Sequence, residues 1–198
     1  MKIAVGMIVF NGNYVLKEVL ESVYPFVDQI LVAEGPVKFW QEQGDTTSGD
    51  GTNQVLHDFA DPDNKIKIVH GQFDEKDDQC NAYMEHLDDD IDYIWDLDSD
   101  EVFKPEDIKL LLLILNSNLI SGNAFTSVGF KSVTFYGGFD DVLGGFEEGA
   151  EFIRLRRVYP GSYWSTHRPP TIAHEIASPC AERHLDFNTL ANVYNIRM

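Results

Sequence analysis

Positive charge is scarce in this chain: 15 lysines and arginines stand against 33 aspartates and glutamates in 198 residues, a net charge of −18. Holding nucleic acid or an anionic membrane requires a basic footprint, so the balance argues against either as a main partner. An anionic small molecule would have to be met by a metal ion or a few local cations. Cysteine is scarce as well. Cys80 and Cys180 are too few for a disulfide framework or a cysteine zinc site, and both are expected to be reduced small hydrophobes, as in a cytosolic protein. No apolar run reaches the roughly 18 residues of a membrane span; the strongest, Leu110 to Leu115, is closed by Lys109 and Asn116. The opening MKIAVGMIVFNG has no small-residue cleavage site and reads as a buried strand, not a signal peptide. A cytoplasmic chain without a membrane span is expected.

What is present suffices for a core. With 43% apolar and 12% aromatic residues, the length fits one domain at roughly 150 residues each. Residues 3–10 are an unbroken apolar run ended by Asn11-Gly12-Asn13, the pattern of a strand buried on both faces. Val15, Leu16, Val19, Leu20 and Val23 recur at helical spacing, which predicts a helix over 13–23 with Asn13 near its N-cap. Residues 29–33 form a second strand, so the three elements make a βαβ unit and a parallel sheet. A helix over about 51–60 capped by Asp50, a strand at 66–69, a helix at 75–87, a strand at 91–97 and a helix opened by Pro105 continue the alternation. Beyond residue 120 the pattern turns mixed or antiparallel, with a segment at 137–150 holding five glycines and four acids.

Asp96-Leu97-Asp98-Ser99-Asp100-Glu101 places four carboxylates where the fourth strand stops. Open α/β sheets bind ligands beyond the carboxyl ends of their strands. Residues two apart on an extended strand point the same way. Asp98 and Asp100 are therefore candidates to present oxygens to one hard cation, Mg²⁺ or Mn²⁺, with Asp96 the more structural acid.

These pieces together resemble a family 2-type glycosyltransferase of the GT-A fold. The resemblance rests on Phe10-Asn11 after the first strand, Glu34-Gly35 after the second, Ser48-Gly49-Asp50-Gly51-Thr52 opening a helix, the helix from Lys76 to Asn81, and Asp98 to Glu101. Arg154-Leu155-Arg156-Arg157 followed by His174-Glu175 is similar to the ending of one bacterial and viral branch. The short length is also similar to the N-terminal domain of a large algal-virus glycosyltransferase, which implies further domains and a host cytoplasm. The chain departs from the family pattern in a longer loop before Ser48, in Ile8-Val9 where Pro-Thr is usual, and in lacking a clear Glu-Asp base motif.

The resemblance implies an α/β fold with a mainly parallel sheet and a mixed or antiparallel C-terminal half. Residues 1–105 would bind a UDP- or dTDP-type sugar donor and 106–198 a glycan acceptor, in one domain. The activity implied is a metal-dependent, inverting sugar transfer to a glycan hydroxyl. Donor contacts would come from Val9, Phe10, Asn11, Glu34, Lys76 and Asp98, with Phe10 packed beside the base and Glu34 accepting from ribose or base. Asp98, Asp100 and His174 would hold the cation, His167 being the next histidine considered; Arg154, Arg156 or Arg157 would reach phosphate. The base would be Asp141 or Asp140, with Glu147, Glu148 and Glu151 as rivals, and Tyr163 and Trp164 would stack an acceptor sugar or fill the core. Two other classes stay open: a non-catalytic glycan- or partner-binding domain on this fold, and a sugar nucleotidyltransferase, ranked low because no basic glycine-rich loop follows the first strand.

Overall fold

The computed structural model describes residues 1–131, 135, 152–174 and 182–186. Strand β1 (Ile3–Val9) pairs in parallel with β2 (Gln29–Glu34) on one side and β4 (Tyr93–Asp96) on the other, and β3 (Ile66–His70) joins β2 in parallel. β2 and β4 are buried throughout, as expected of strands covered on both faces. Beyond β4 the direction reverses: β6 (Phe152–Arg157) is antiparallel to both β4 and β5 (Ser127–Phe130), and short β9 (His184–Asp186) lies parallel to β5. The order is β3-β2-β1-β4-β6-β5-β9, with a separate hairpin of β7 (Ser162–His167) and β8 (Pro170–His174).

Alternation along the strands builds two cores. Ile3, Val5, Met7 and Val9 of β1, with Ile30, Val32, Tyr93 and Trp95, face α1 (Leu16–Val23), α3 (Thr52–Asp58) and α5 (Pro105–Ile120). Ala4, Leu31, Ala33 and Ile94 face the other way, onto Cys80 and Tyr83 of α4 (Lys76–Met84) and Trp164 of β7. Trp164 is therefore core, while Tyr163 beside it is exposed. Asn81 locks α4 to the hairpin: its Nδ2 donates to Trp164 O at 2.8 Å and its Oδ1 accepts from Trp164 N at 2.7 Å. No helix among the described residues is long and apolar enough to cross a membrane.

Two expectations shift. The first helix begins at Leu16, not Asn13. Asn13 is drawn off instead: its N–H donates to Asp50 Oδ2 and its Nδ2 to Asp50 O, both at 2.9 Å. The loop after β2 contains a short helix, α2 (Lys38–Gln41), set by Gln41 Nε2 donating to Pro36 O and Phe73 O at 2.9 and 2.8 Å.

Gly35 closes β2 at φ +143°, and a Cβ there would meet Gly71 O at 1.9 Å. Neither the dihedral nor the space admits another residue. Gly35→Ala is expected to lower unfolding free energy by at least about 2 kcal/mol, read as a lower urea midpoint at unchanged slope. A midpoint within error of the parent would contradict this packing.

Candidate active site

Beyond the carboxyl ends of β1, β2 and β4 lies a cavity of about 320 Å³ lined by Ile8, Val9, Phe10, Gly35, Val37, Trp40, Lys76, Gln79, Asp98, Ser99 and Asp100. That volume is at the small end of the range for ligand sites, roughly 300–1,000 Å³. Four of the six expected donor residues line it: Val9, Phe10, Lys76 and Asp98, and Asp100 joins them.

The other two are used elsewhere. Asn11, at φ 52°, clasps the 48–52 segment: its N–H donates to Ser48 Oγ at 2.9 Å and its Oδ1 accepts from Gly49 N at 2.8 Å. Glu34 is 1% exposed. Its Oε1 accepts from Ser48 N at 2.9 Å, Thr47 Oγ1 lies 3.3 Å from both carboxylate oxygens, and His70 Nδ1 is 3.0 Å from Oε2. Burial pushes this carboxyl up, yet the hydrogen bonds from His70 and Ser48 outweigh it and leave it below its ordinary range. Asp50 completes the clasp by accepting from Thr52 N, Thr52 Oγ1 and Asn13 N. In this conformation Glu34 and Asn11 thus hold the rim and not the cavity surface.

The acidic cluster is organised by one arginine. Arg154, on β6, places Nη2 2.5 Å from both Asp98 Oδ2 and Glu101 Oε1, with Nη1 3.8 Å from Asp96 Oδ2. Burial opposes its charge, but Glu101, Asp98 and Asp96 together hold it above its ordinary value. Burial pushes Asp96 up to about 6 and Glu101 up to about 7, against the pull of Arg154. Asp98 keeps 42% of its side chain exposed, and Asp100 is exposed.

The structure places the expected histidine elsewhere. His174 does not line the cavity; its Nδ1 is 2.7 Å from Ser162 Oγ and its ring meets Tyr159 edge-on. No group of three His, Cys, Asp and Glu able to hold a metal ion occurs among the described residues, so Asp98, Asp100 and His174 are not gathered into one. His167 is the histidine that feels the site: burial and then Lys76 lower its pKa, with Asp98 acting to raise it. Arg156 stacks over Trp164 at 5.2 Å and donates to Pro170 O, and Arg157 lies over Tyr159, so both serve the hairpin. Asp140, Asp141, Glu147, Glu148, Glu151 and Glu175 lie outside the described residues. Sequence reasoning missed Trp40, whose only signal was an aromatic pair, Phe39-Trp40, inside an otherwise polar loop.

The profile described as glycosyl transferase family 2 matches residues 44–161. It takes in Ser48 to Thr52 and Asp98 to Glu101 but begins after β1 and β2. No curated sequence matches the chain significantly. Among solved structures, S. aureus TarS 1-349 is similar at a TM-score of 0.48 and 15% identity, over 70% of this chain and 37% of that one. The same protein in complex with UDP-GlcNAc gives 0.47 and 15%, over 70% and 36%. The 4-diphosphocytidyl-2C-methyl-D-erythritol synthase of Anaerococcus prevotii DSM 20548 gives 0.44 and 14%, over 79% and 70%. The chain therefore spans little more than a third of the length of TarS 1-349.

Glu34 makes the rim sensitive to acid in a definite direction. Because its folded pKa is lowered, its contribution is complete above the unfolded value of about 4.3 and is lost as pH falls through the folded one. Glu34→Gln is expected to lower the melting temperature at neutral pH, with the gap to the parent closing below about pH 4. A gap that stays constant or widens on acidification would refute the assignment.

Proposed function

The chain belongs to glycosyl transferase family 2, whose profile matches more than half of it, and from that membership we propose a metal-dependent, inverting transfer of a sugar from a UDP- or dTDP-type donor to a hydroxyl of a glycan. One observation carries the reading: Asp98, Asp100, Lys76 and Phe10, from two separate strand ends and a helix, line a single cavity. Two carboxylates on one wall are a hard-oxygen donor set that fits Mg²⁺ or Mn²⁺, ions that take their remaining ligands from water and phosphate. Arg154 occupies only one Asp98 oxygen. A bound cation would supply charge neutralisation for the departing diphosphate.

The residues divide the remaining work. Asp98 and Asp100 hold the cation, Lys76 meets the diphosphate, and Phe10 lies beside the base. Asp141, or Asp140 next to it, accepts the acceptor proton as the hydroxyl oxygen bonds to the anomeric carbon. The bond from that carbon to the diphosphate breaks with its electron pair passing to the phosphate oxygen. Attack opposite the leaving group inverts the anomeric centre. The base is drawn from the later half because the acceptor must approach from the side away from the cation. A cytoplasmic location belongs to the same proposal, supported by a two-cysteine composition that fits a reducing compartment.

Two experiments test it. Nucleoside diphosphate binding should require Mg²⁺ or Mn²⁺, and Asp100→Ala should abolish the gain in affinity that the metal gives, in a protein that stays folded by circular dichroism; equal affinity in EDTA for the parent would overturn the cation assignment. Asp141→Asn is expected to cut turnover by about 10²–10⁴-fold at nearly unchanged donor affinity. If neither Asp141→Asn nor Asp140→Asn slows turnover, the base lies elsewhere.

A further inference from the structure

Trp40 is the exception among the three tryptophans. Trp95 and Trp164 are 0% and 1% exposed, whereas Trp40 is 45% exposed and lines the cavity. Its backbone is nonetheless fixed. Trp40 N donates to Val37 O at 2.9 Å, its carbonyl accepts from Gln43 N and Asp45 N, and Gln41 ties the turn to Pro36 and Phe73. A large aromatic surface held half-open on a hydrogen-bonded turn in a cavity lining is available to the apolar face of a ligand. Phe10 stands 5.9 Å from it between ring centroids at 41°, and Phe39 meets it edge-on at 5.0 Å.

The sheet order sets what can lie there. Trp40 follows β2 and the carboxylates follow β4, with β1 and its Phe10 between them. One cavity therefore carries both an aromatic surface and a pair of carboxylates. The base and the diphosphate of one nucleotide match those two surfaces in kind. Several described groups able to read a base edge are already engaged: Asn11 Oδ1 accepts from Gly49 N, Glu34 is sealed by Ser48, Thr47 and His70, and Gln79 Nε2 donates to Ala33 O and Gly35 O. Ile8, Val9 and Val37 add apolar side chains to the lining.

The geometry points to Trp40 as the residue that, with Phe10, binds the donor's base by stacking, so that the described part of the site accepts different bases with similar affinity. Every base offers a π-face, and stacking therefore tolerates base identity where edge hydrogen bonds do not. The inference rests on the donor-site reading above and adds the means of base recognition.

Calorimetric titration of the full chain in Mg²⁺ with UDP, GDP and inorganic pyrophosphate tests it, for the parent, Trp40→Phe and Trp40→Ala. UDP and GDP are expected to bind within about fivefold of each other; Trp40→Ala should weaken both by about tenfold or more and Trp40→Phe by less, while pyrophosphate is unaffected. Unchanged pyrophosphate binding certifies that the variants are folded. Parent affinities for UDP and GDP that differ by a hundredfold, or a Trp40→Ala variant that binds both as the parent does, would overturn the stacking role while leaving the diphosphate site standing. Binding of neither nucleotide nor pyrophosphate to the parent would overturn the donor-site reading itself and this inference with it.

Discussion

One guanidinium makes the end of β4 possible. Asp96, Asp98, Asp100 and Glu101 crowd into six residues of a chain that already carries a net charge of −18. Two like charges 4 Å apart repel by about 4 kcal/mol near a protein surface, so this turn would not hold its shape on backbone geometry alone. Arg154 offsets the repulsion from inside, with one terminal nitrogen shared by Asp98 and Glu101. It arrives there only because β6 runs antiparallel to β4, with Trp95 opposite Leu155 and Ile94 opposite Arg156. The reversal of direction at the middle of the sheet thus has an electrostatic purpose. A parallel strand in that place would begin its cationic run at the opposite end of β4.

A second polar network works on the far side of β1. The turn Asn11 to Asn13 and the segment Ser48 to Thr52 are hydrogen-bonded to each other through Asn11, Asn13, Ser48, Asp50 and Thr52, and Glu34 anchors the same segment from below. Buried polar groups demand partners, and here they find them in one another. The cost of leaving Glu34 unpaired in its buried position would be borne by the whole rim. What these groups leave to the cavity lining includes the hydrocarbon and aromatic surface of Ile8, Val9, Phe10, Val37 and Trp40.

Much of the architecture was legible in the sequence, and the limits have physical reasons. β1, β2 and β4 declare themselves as apolar runs because both of their faces are covered, and Pro105 marks the start of α5 because its ring suits the first helical turn. The carboxylates at the end of β4 were likewise readable from their place after a core strand. Asn13 misled because a capping residue and a residue bonded to a loop 37 positions away look alike in sequence. Glu34 and Asn11 sit where the family pattern expects them, yet their hydrogen bonds depend on where the 47–52 segment settles. His174 and His167 illustrate register: both end strands of one hairpin, and only the pairing of Ser162 with His174 and His167 with Pro170 decides which is carried toward Lys76. Trp40 had no periodicity to announce it, since a four-residue helix is too short to show one.

The position of β3 at the outer end of the described sheet has a bearing on how copies of this protein treat each other. An edge strand exposes a row of unpaired amide and carbonyl groups that invites pairing with a second chain. Along β3 the exposed positions are Lys67 and His70, with isoleucine and valine only half-covered between them. At physiological ionic strength the mutual repulsion of two strongly acidic molecules is largely screened beyond about 8 Å, so it acts chiefly once two edges are close. At that range the desolvation of Lys67 adds a second obstacle to edge-to-edge pairing. A cation on a five-residue edge strand thus works against the pairing of two copies through that edge.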